Sequence, residues 1–346
     1  MRKATVDDFK KIKTKIYKRD EVEKTYRFEE KGEVVTYVPG YFMGLIPVSP
    51  FAATYMGDAP TISYSSILCE KDGLIYQQRE FGDIYELGDW DGSKPVNKII
   101  TCIDDIKKLR VLDPIADGKV TDEMRRRAKE VKQNYWIAGW IPSLDHLLNW
   151  PCGLSQLIEW ITFEPALINA ANEYLTKVAL NFIRAYAQME YDEISTTACF
   201  GSNSILSPKM FKDVTDEFHR TICSECHKYG MKVKLHQCGN SVGNWETIID
   251  QGFDAFETVD PLGGCRLSDA KKVFDKKVVV FGNVSTDILA FGTPEEVKKE
   301  TLRSLEEGMP GGGYVLGLGD ITVSRVTPVE NILTVVEVAE KYGRYS

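Results

Sequence analysis

From about residue 133 onward, short apolar runs alternate with long amphipathic segments, and this alternation constrains the fold more than any other feature. A chain in which strands alternate with helices in this way is expected to build a parallel sheet. Six such runs, with one or two more strands before residue 135, predict an α/β protein with a (β/α)8 TIM barrel. The runs lie at 135–140, 192–198, 231–238, 254–259, 277–283 and 314–319.

A doubly wound sheet is the alternative architecture. It is less favoured because no glycine-rich turn follows an early strand, as a dinucleotide-binding fold requires. Helix start signals between the runs support the alternation. Residues 207–208 read Ser-Pro, while 293–296 and 327–330 each place a threonine before a proline at the first helical position, with a glutamate close behind.

The N-terminal third has a different pattern. Residues 1–60 hold one charged helical segment and then an apolar stretch at 37–56, whereas 70–112 alternate aromatic and polar residues around Gly and Asp turns. That second pattern is typical of hairpins. No segment resembles a linker. We therefore predict a single domain over 1–346, with 1–112 as an N-terminal extension whose hairpins pack on the barrel.

Charge and hydropathy limit the classes of partner. The chain has 346 residues, 43% of them apolar, and a formal net charge of -8. An acidic balance argues against a nucleic-acid binder. No uninterrupted apolar run approaches about 18 residues, the length of a membrane span, since Pro, Gly and Ser interrupt the stretch at 37–56, and the charged N-terminus lacks the apolar core of a signal peptide. We expect a cytoplasmic protein whose eight cysteines are free thiols or metal ligands rather than disulfides.

The stretch KLHQCGNSVG, at 234–243, holds a histidine and a cysteine two residues apart. Side chains two apart on a strand share a face, so His236 and Cys238 point together. They lie at the C-terminal end of their strand, which is where barrel enzymes carry their active sites. Both are good zinc ligands. The alternative is that Cys238 is a small core residue and His236 a hydrogen-bonded one.

By the same parity, Lys234 shares the face of His236 and points into the barrel. A buried ammonium needs a partner, and Glu257 on the next strand is the natural candidate. A wider, hydrated barrel end is the alternative. Asp145 and His146 follow another strand end; a surface or helix-cap role is favoured for them over a substrate or acid–base role.

A family resemblance rests on the motifs H-Q-C-G-N, G-N-V, G-T-P-E-E-V, G-G-G-Y and T-P-V-E-N-I. Together they resemble the uroporphyrinogen decarboxylase superfamily, and within it the branch of corrinoid-dependent methyltransferases. The likeness covers roughly residues 130–346. The N-terminal third lacks the arginine-rich motif with which true decarboxylases hold substrate carboxylates. A decarboxylase acting on tetrapyrroles is therefore the less favoured alternative, as is an inert barrel that binds a small molecule.

The resemblance implies a zinc ion held by His236 and Cys238. We expect Glu257 to complete the shell, with Cys199 and Asp320 as further candidates. Thiol-activating members of the branch have another cysteine at the end of the last strand, where this chain reads Gly-Leu-Gly-Asp at 317–320. A shell with fewer sulfur ligands suits activation of an ether oxygen.

The resemblance thus implies an enzyme that moves a methyl group from a methoxylated small molecule to the cobalt of a corrinoid (cobalamin) on a partner protein. Lys234 and Asp320 are predicted to be catalytic. Asn240 and Asn283, which lie in the H-Q-C-G-N and G-N-V motifs, are predicted to bind the cofactor. No nucleic-acid or membrane partner is expected, and a homodimer is an open alternative.

Overall fold

The computed structural model describes residues 18–36, 60–71, 74–87, 94–320 and 326–345. The apolar stretch predicted at 37–56 lies outside these residues. Within them, no helix is both long and apolar enough to cross a bilayer.

The N-terminal part of the chain combines helices with a small sheet. It contains helix α1 (Arg19–Tyr26) and the two-residue strand β1 (Val35–Thr36). Four antiparallel strands follow in the order of the chain, which confirms the predicted hairpins. These strands and the next two helices are β2 (Ser66–Lys71), β3 (Leu74–Gln78), β4 (Ile84–Leu87), β5 (Lys94–Pro95), α2 (Ile103–Lys108) and α3 (Asp122–Lys132).

The main sheet is parallel, and its strands coincide with the six predicted runs. They are β6 (Ala138–Trp140), β7 (Glu193–Thr197), β8 (Lys232–His236), β9 (Ala255–Glu257), β10 (Val279–Val284) and β11 (Tyr314–Leu318). The order across the sheet is β1-β11-β10-β9-β8-β7-β6. These seven strands and their surrounding helices form the predicted TIM-barrel-like α/β fold.

The seventh strand comes from the N-terminal part of the chain. Strand β1 pairs in parallel with β11, with Val35 opposite Val315. The segment predicted to be an extension packed on the barrel therefore also supplies a strand of the main sheet. The single-domain organisation of the whole chain remains a prediction.

Helices cover the sheet between successive strands. They are α4 (Leu154–Phe163), α5 (Pro165–Gln188), α6 (Pro208–Lys228), α7 (Trp245–Gln251), α8 (Leu267–Phe274), α9 (Thr286–Phe291), α10 (Pro294–Gly308) and α11 (Val329–Tyr342). Short helical turns occupy Asp145–Asn149, Trp150–Cys152, Cys199–Gly201 and Val242–Asn244.

Two of the three predicted helix starts are confirmed. Ser207 caps α6 by accepting a hydrogen bond from the backbone of Met210, and Thr293 forms a capping box with Glu296. The third prediction was wrong by one residue. Pro328 is itself the capping residue of α11, and its side chain makes no capping hydrogen bond.

Strands β7, β8 and β9 carry polar side chains toward the interior of the barrel. In β8, Lys234 and His236 are buried there, while Val233 and Leu235 are buried on the opposite face of the sheet. In β7, Glu193, Ser195 and Thr197 are two residues apart, so they share one face of the strand, and all three are buried. The interior near the carboxyl ends of these strands is thus lined with groups able to bind ligands.

Candidate metal centre

Two neighbouring strand ends bring together three residues with metal-binding side chains. His236 is the last residue of β8 and pairs in register with Thr197, the last residue of β7. Cys238 lies two residues beyond His236, and Cys199 lies two beyond Thr197, in the turn Cys199–Gly201. Because the carboxyl ends of parallel strands meet at one edge, these side chains converge.

The ligand atoms of Cys199, His236 and Cys238 all lie within 4.8 Å of one another. The two sulfur atoms are 3.9 Å apart, and Cys238 Sγ is 2.9 Å from His236 Nε2. Two sulfur ligands of one tetrahedral zinc are about 3.8 Å apart, given the usual Zn–S bond length. The imidazole is buried, whereas both cysteines are half-buried. The group therefore matches the Cys2His ligand set of a zinc site.

Charge interactions within this group are strong. The contact with Cys238 lowers the pKa of the Cys199 thiol, although burial opposes that change. The same contact, together with burial, raises the pKa of Cys238 well above its usual range. The lowered pKa of Cys199 favours its thiolate, which is the form that binds a metal ion.

Asp145 fixes the turn that carries Cys199. Its carboxylate is fully buried and accepts hydrogen bonds from the backbone N–H of Cys199 at 2.6 Å and from Asn149 Nδ2 at 2.7 Å. Burial raises its pKa. The favoured expectation of a surface or helix-cap role is wrong for Asp145, because its side chain points inward and binds the neighbouring loop.

His146, the next residue, lies against the ring of Trp150. Its Nδ1 accepts a hydrogen bond from the backbone N–H of Ser143. Burial lowers its pKa to about 3, so the ring is neutral at ordinary pH. The residue that follows Asp145 in the turn Asp145–Asn149 is therefore a neutral imidazole rather than a cation.

Lys234 and Glu257 form the predicted ion pair inside the barrel. Lys234 Nζ is 3.3 Å from Glu257 Oε2 and 3.5 Å from Glu193 Oε1, and it also lies 4.6 Å from the centre of the Phe281 ring. Burial raises the pKa of Glu257, but the Lys234 ammonium and the His236 imidazole outweigh it and lower that pKa to about 2. Glu257 is therefore a carboxylate.

The position of Glu257 differs from the expectation that it completes a metal shell. Its Oε2 is 3.6 Å from His236 Nδ1, whereas Cys238 contacts the other ring nitrogen, Nε2. Glu257 therefore lies at the opposite edge of the imidazole from the thiols. Cys199, which was only an alternative candidate, takes the third place in the group.

Asp320 and Asn240 are two further predicted site residues. Asp320 is close, with Oδ1 3.7 Å from Cys238 Sγ. Asn240 stabilises the loop after β8, since its backbone N–H donates to Ser202 Oγ and its Oδ1 accepts from the backbone of Val242. Catalysis by Asp320 and cofactor binding by Asn240 stay predictions.

Asn283, the other residue predicted to bind the cofactor, has its partner in the helix layer. Its Oδ1 accepts a hydrogen bond of 2.9 Å from Arg303 Nη2 on α10. The side chain of Asn283 therefore joins strand β10 to that helix. A role in cofactor binding stays a prediction for this residue.

Sequence reasoning missed Glu193 altogether. This residue is buried, and its Oε2 accepts hydrogen bonds from Tyr26 Oη at 2.6 Å and Trp136 Nε1 at 3.1 Å. The polar alternation of β7 was the available signal, because Glu193 shares a strand face with Ser195 and Thr197.

The family model and the curated relatives that this chain matches carry the same name. A family model described as Uroporphyrinogen decarboxylase (URO-D) matches residues 79–342. A protein named uroporphyrinogen decarboxylase from Pseudoalteromonas translucida is 26% identical over 297 residues, which cover 82% of this chain and 80% of that protein. Another of that name, from Psychromonas ingrahamii, is 24% identical over 243 residues and 66% of each chain.

A solved structure is similar in fold. A methyltransferase from Methanosarcina mazei matches with a TM-score of 0.62 and 19% identity, over 76% of each chain. At this identity the likeness concerns the fold alone, and it agrees with the parallel sheet described above.

Proposed function

The chain belongs to the uroporphyrinogen decarboxylase family, and on that basis we propose that it is a zinc-dependent methyltransferase. It moves a methyl group from a methoxylated small molecule to the cobalt of a corrinoid protein. The observation that supports this proposal is the group formed by Cys199, His236 and Cys238 at the carboxyl end of the barrel. Two thiols and one imidazole form a ligand set that zinc prefers.

Three protein ligands leave a fourth position for a substrate, as in catalytic zinc sites. Zinc held by these three residues would supply Lewis acidity to a substrate oxygen and so would make that oxygen a better leaving group. In this proposal Cys199 brings the number of sulfur ligands to two, one more than in the shell of His236, Cys238 and Glu257 expected from the sequence. A Cys2His zinc serves an oxygen substrate in alcohol dehydrogenase. Two sulfur ligands are therefore compatible with an ether, and an assay must distinguish an ether donor from a thiol.

The surrounding residues have supporting roles in this proposal. Asp145 holds the backbone of Cys199 and so orients its thiol toward the other two ligands. Asp320 lies beside Cys238, where its carboxylate can accept a hydrogen bond from a bound substrate. Lys234 lies deeper in the barrel, in contact with Glu257.

The rim of the barrel mouth supports binding of a partner protein. Large aliphatic side chains are exposed in the loops after β7, β8 and β9, namely Ile205 at 41%, Val242 at 47% and Leu262 at 57%. Exposed apolar side chains around a polar centre are typical of an interaction surface. A corrinoid protein bound at this rim would bring its cobalt to the centre.

Metal analysis together with a methyl-transfer assay tests the proposal. The wild type should bind about one zinc per chain and form methylcobalamin from cob(I)alamin and a panel of methoxylated aromatics. Cys238→Ala should lose both properties. Cys223→Ala is the matched control, because Cys223 is a buried thiol on α6. Equal zinc in the wild type and Cys238→Ala, or fast methylation of a thiol by methylcobalamin without ether cleavage, would refute the proposal.

A tetrapyrrole decarboxylase is the second candidate, because the two curated relatives carry the name uroporphyrinogen decarboxylase. Such an enzyme would need no metal at the Cys-His-Cys group. Decarboxylation of uroporphyrinogen by both the wild type and Cys238→Ala would favour this candidate. We expect neither protein to release carbon dioxide from that substrate.

A further inference from the structure

We propose that Glu257 is a positioning residue that directs Nε2 of His236 to the metal, and that Lys234 holds Glu257 in place. This inference rests on the proposed zinc site. It replaces the expectations that Glu257 is itself a ligand and that Lys234 is catalytic.

The two nitrogens of His236 face different groups. Nε2 lies 2.9 Å from the sulfur of Cys238, and Nδ1 lies 3.6 Å from Oε2 of Glu257. A neutral imidazole carries one proton, and a carboxylate beside Nδ1 attracts that proton to Nδ1. The lone pair of Nε2 is then directed toward the two thiols. Carboxylates commonly act on metal-binding histidines in this way, and they fix both the tautomer and the ring orientation.

Lys234 fixes the carboxylate in turn. Its ammonium lies between Glu257, at 3.3 Å, and Glu193, at 3.5 Å. Glu193 is itself held by Tyr26 and Trp136. A continuous series of polar contacts therefore runs from helix α1, through β7, β8 and β9, to the imidazole of His236.

The burial of these groups favours a positioning role over simple core packing. The side chains of Lys234, Glu193 and Glu257 are exposed by only 1%, 2% and 0%. Removing such charges from water is costly, and apolar residues of similar volume often give equal or greater stability. Charges at these positions are explained if the orientation of His236 depends on them.

The test is the zinc affinity of Glu257→Gln, measured by competition with a chelating dye. This variant retains the shape of the side chain, and Lys234 keeps its contact with Glu193. We expect zinc to bind about 10–100-fold more weakly, which is the usual effect of losing such a partner of a ligand. The expected loss appears in metal binding itself, so activity need not be measured.

Asp254→Asn is the matched control. Asp254 lies three residues before Glu257 and pairs with Lys232 of β8 at 2.7 Å, so this variant also removes a carboxylate that binds a lysine of that strand. Its zinc affinity should stay within about twofold of the wild type. The circular dichroism spectra of all three proteins should agree.

A second measurement applies even if Glu257→Gln fails to fold. The chain has only four histidines, so nitrogen-15 NMR of the zinc-loaded wild type can resolve the imidazoles, and His236→Gln identifies the signal of His236. We expect zinc on Nε2 and a proton on Nδ1.

The outcomes separate this inference from the proposed function. A wild type without zinc would overturn both. A wild type that binds zinc, with Glu257→Gln of equal affinity or with zinc on Nδ1, would overturn the positioning role alone.

Discussion

Replacing Lys234 by methionine should lower the free energy of unfolding by about 3–5 kcal/mol, the usual cost of removing one partner from a buried ion pair. Methionine fills a similar volume, so the loss of charge is the main change. Without the ammonium, Glu193 and Glu257 lose a shared counter-charge that lies 3.5 Å and 3.3 Å from them. Both side chains are buried, so water cannot replace it.

This free-energy change corresponds to a measurable shift in thermal unfolding. The unfolding entropy of globular proteins is about 2.1 cal/mol/K per residue, which for this chain amounts to about 0.7 kcal/mol/K. A loss of 3–5 kcal/mol therefore lowers the midpoint by about 4–7 °C. Differential scanning calorimetry of the wild type and the variant at one zinc concentration measures this difference.

Lys232→Met is the matched control for Lys234→Met. Lys232 lies two residues earlier on β8, and its ion pair with Asp254 is 38% exposed on the lysine side. Partly exposed pairs contribute about 1 kcal/mol or less. Neutralising all three groups, as in E193Q/K234M/E257Q, should recover most of the stability lost in Lys234→Met. Equal midpoints for Lys234→Met and Lys232→Met would refute the reasoning.

Three further predictions concern other parts of the molecule. Asp145→Asn replaces one of two acceptor oxygens with an amide NH2, so the Cys199 N–H and the Asn149 amide can no longer each bond to an oxygen of their own. This should cost about 1–3 kcal/mol in urea unfolding, along with weaker zinc binding; unchanged stability and zinc affinity would contradict the role of Asp145. Burial lowers the pKa of His219 to about 4, so the unfolded chain takes up this proton first as the pH falls. His219 alone should therefore lower the free energy of unfolding by about 3 kcal/mol between pH 6.5 and 4, in addition to the contribution of His146, and His219→Gln should make the decrease smaller by that amount; an equally steep decrease in the variant would show that His219 does not contribute. Limited proteolysis should not release two folded pieces by a cut between residues 200 and 300, since we predict a single domain, and recovery of two such pieces would contradict that prediction.

Local periodicity was enough to predict most of the fold. The six apolar runs correspond to β6–β11 because strands in a parallel sheet are buried on both faces. Parity within β8 also predicted the contact of Lys234 with Glu257, which the structure confirms. Strand β1 was beyond such reasoning, because two residues carry no periodicity. Its place beside β11 is decided by tertiary packing.

The identity of the third residue in the metal group depends on how the strands beside β8 pair with it in register, and the sequence does not reveal that register. Both Cys199 and Glu257 follow or end a strand beside β8, so each was a reasonable neighbour of His236. Thr197 pairs with His236, and the Asp145 carboxylate accepts hydrogen bonds from the backbone of Cys199 and Phe200. Together these contacts bring the Cys199 thiol to Cys238 and His236. The contact with Lys234 keeps Glu257 at the other edge of the ring.

X-ray absorption at the zinc edge of the wild-type protein tests the central claim most directly. Sulfur and nitrogen or oxygen ligands are distinguished by their bond lengths, about 2.3 Å for sulfur and about 2.0–2.2 Å for the lighter atoms. Binding by Cys199, His236 and Cys238 predicts two sulfur ligands and two lighter ones, with one sulfur lost in Cys199→Ala. A bound zinc with no sulfur ligand, or a spectrum unchanged in Cys199→Ala, would contradict the proposed centre.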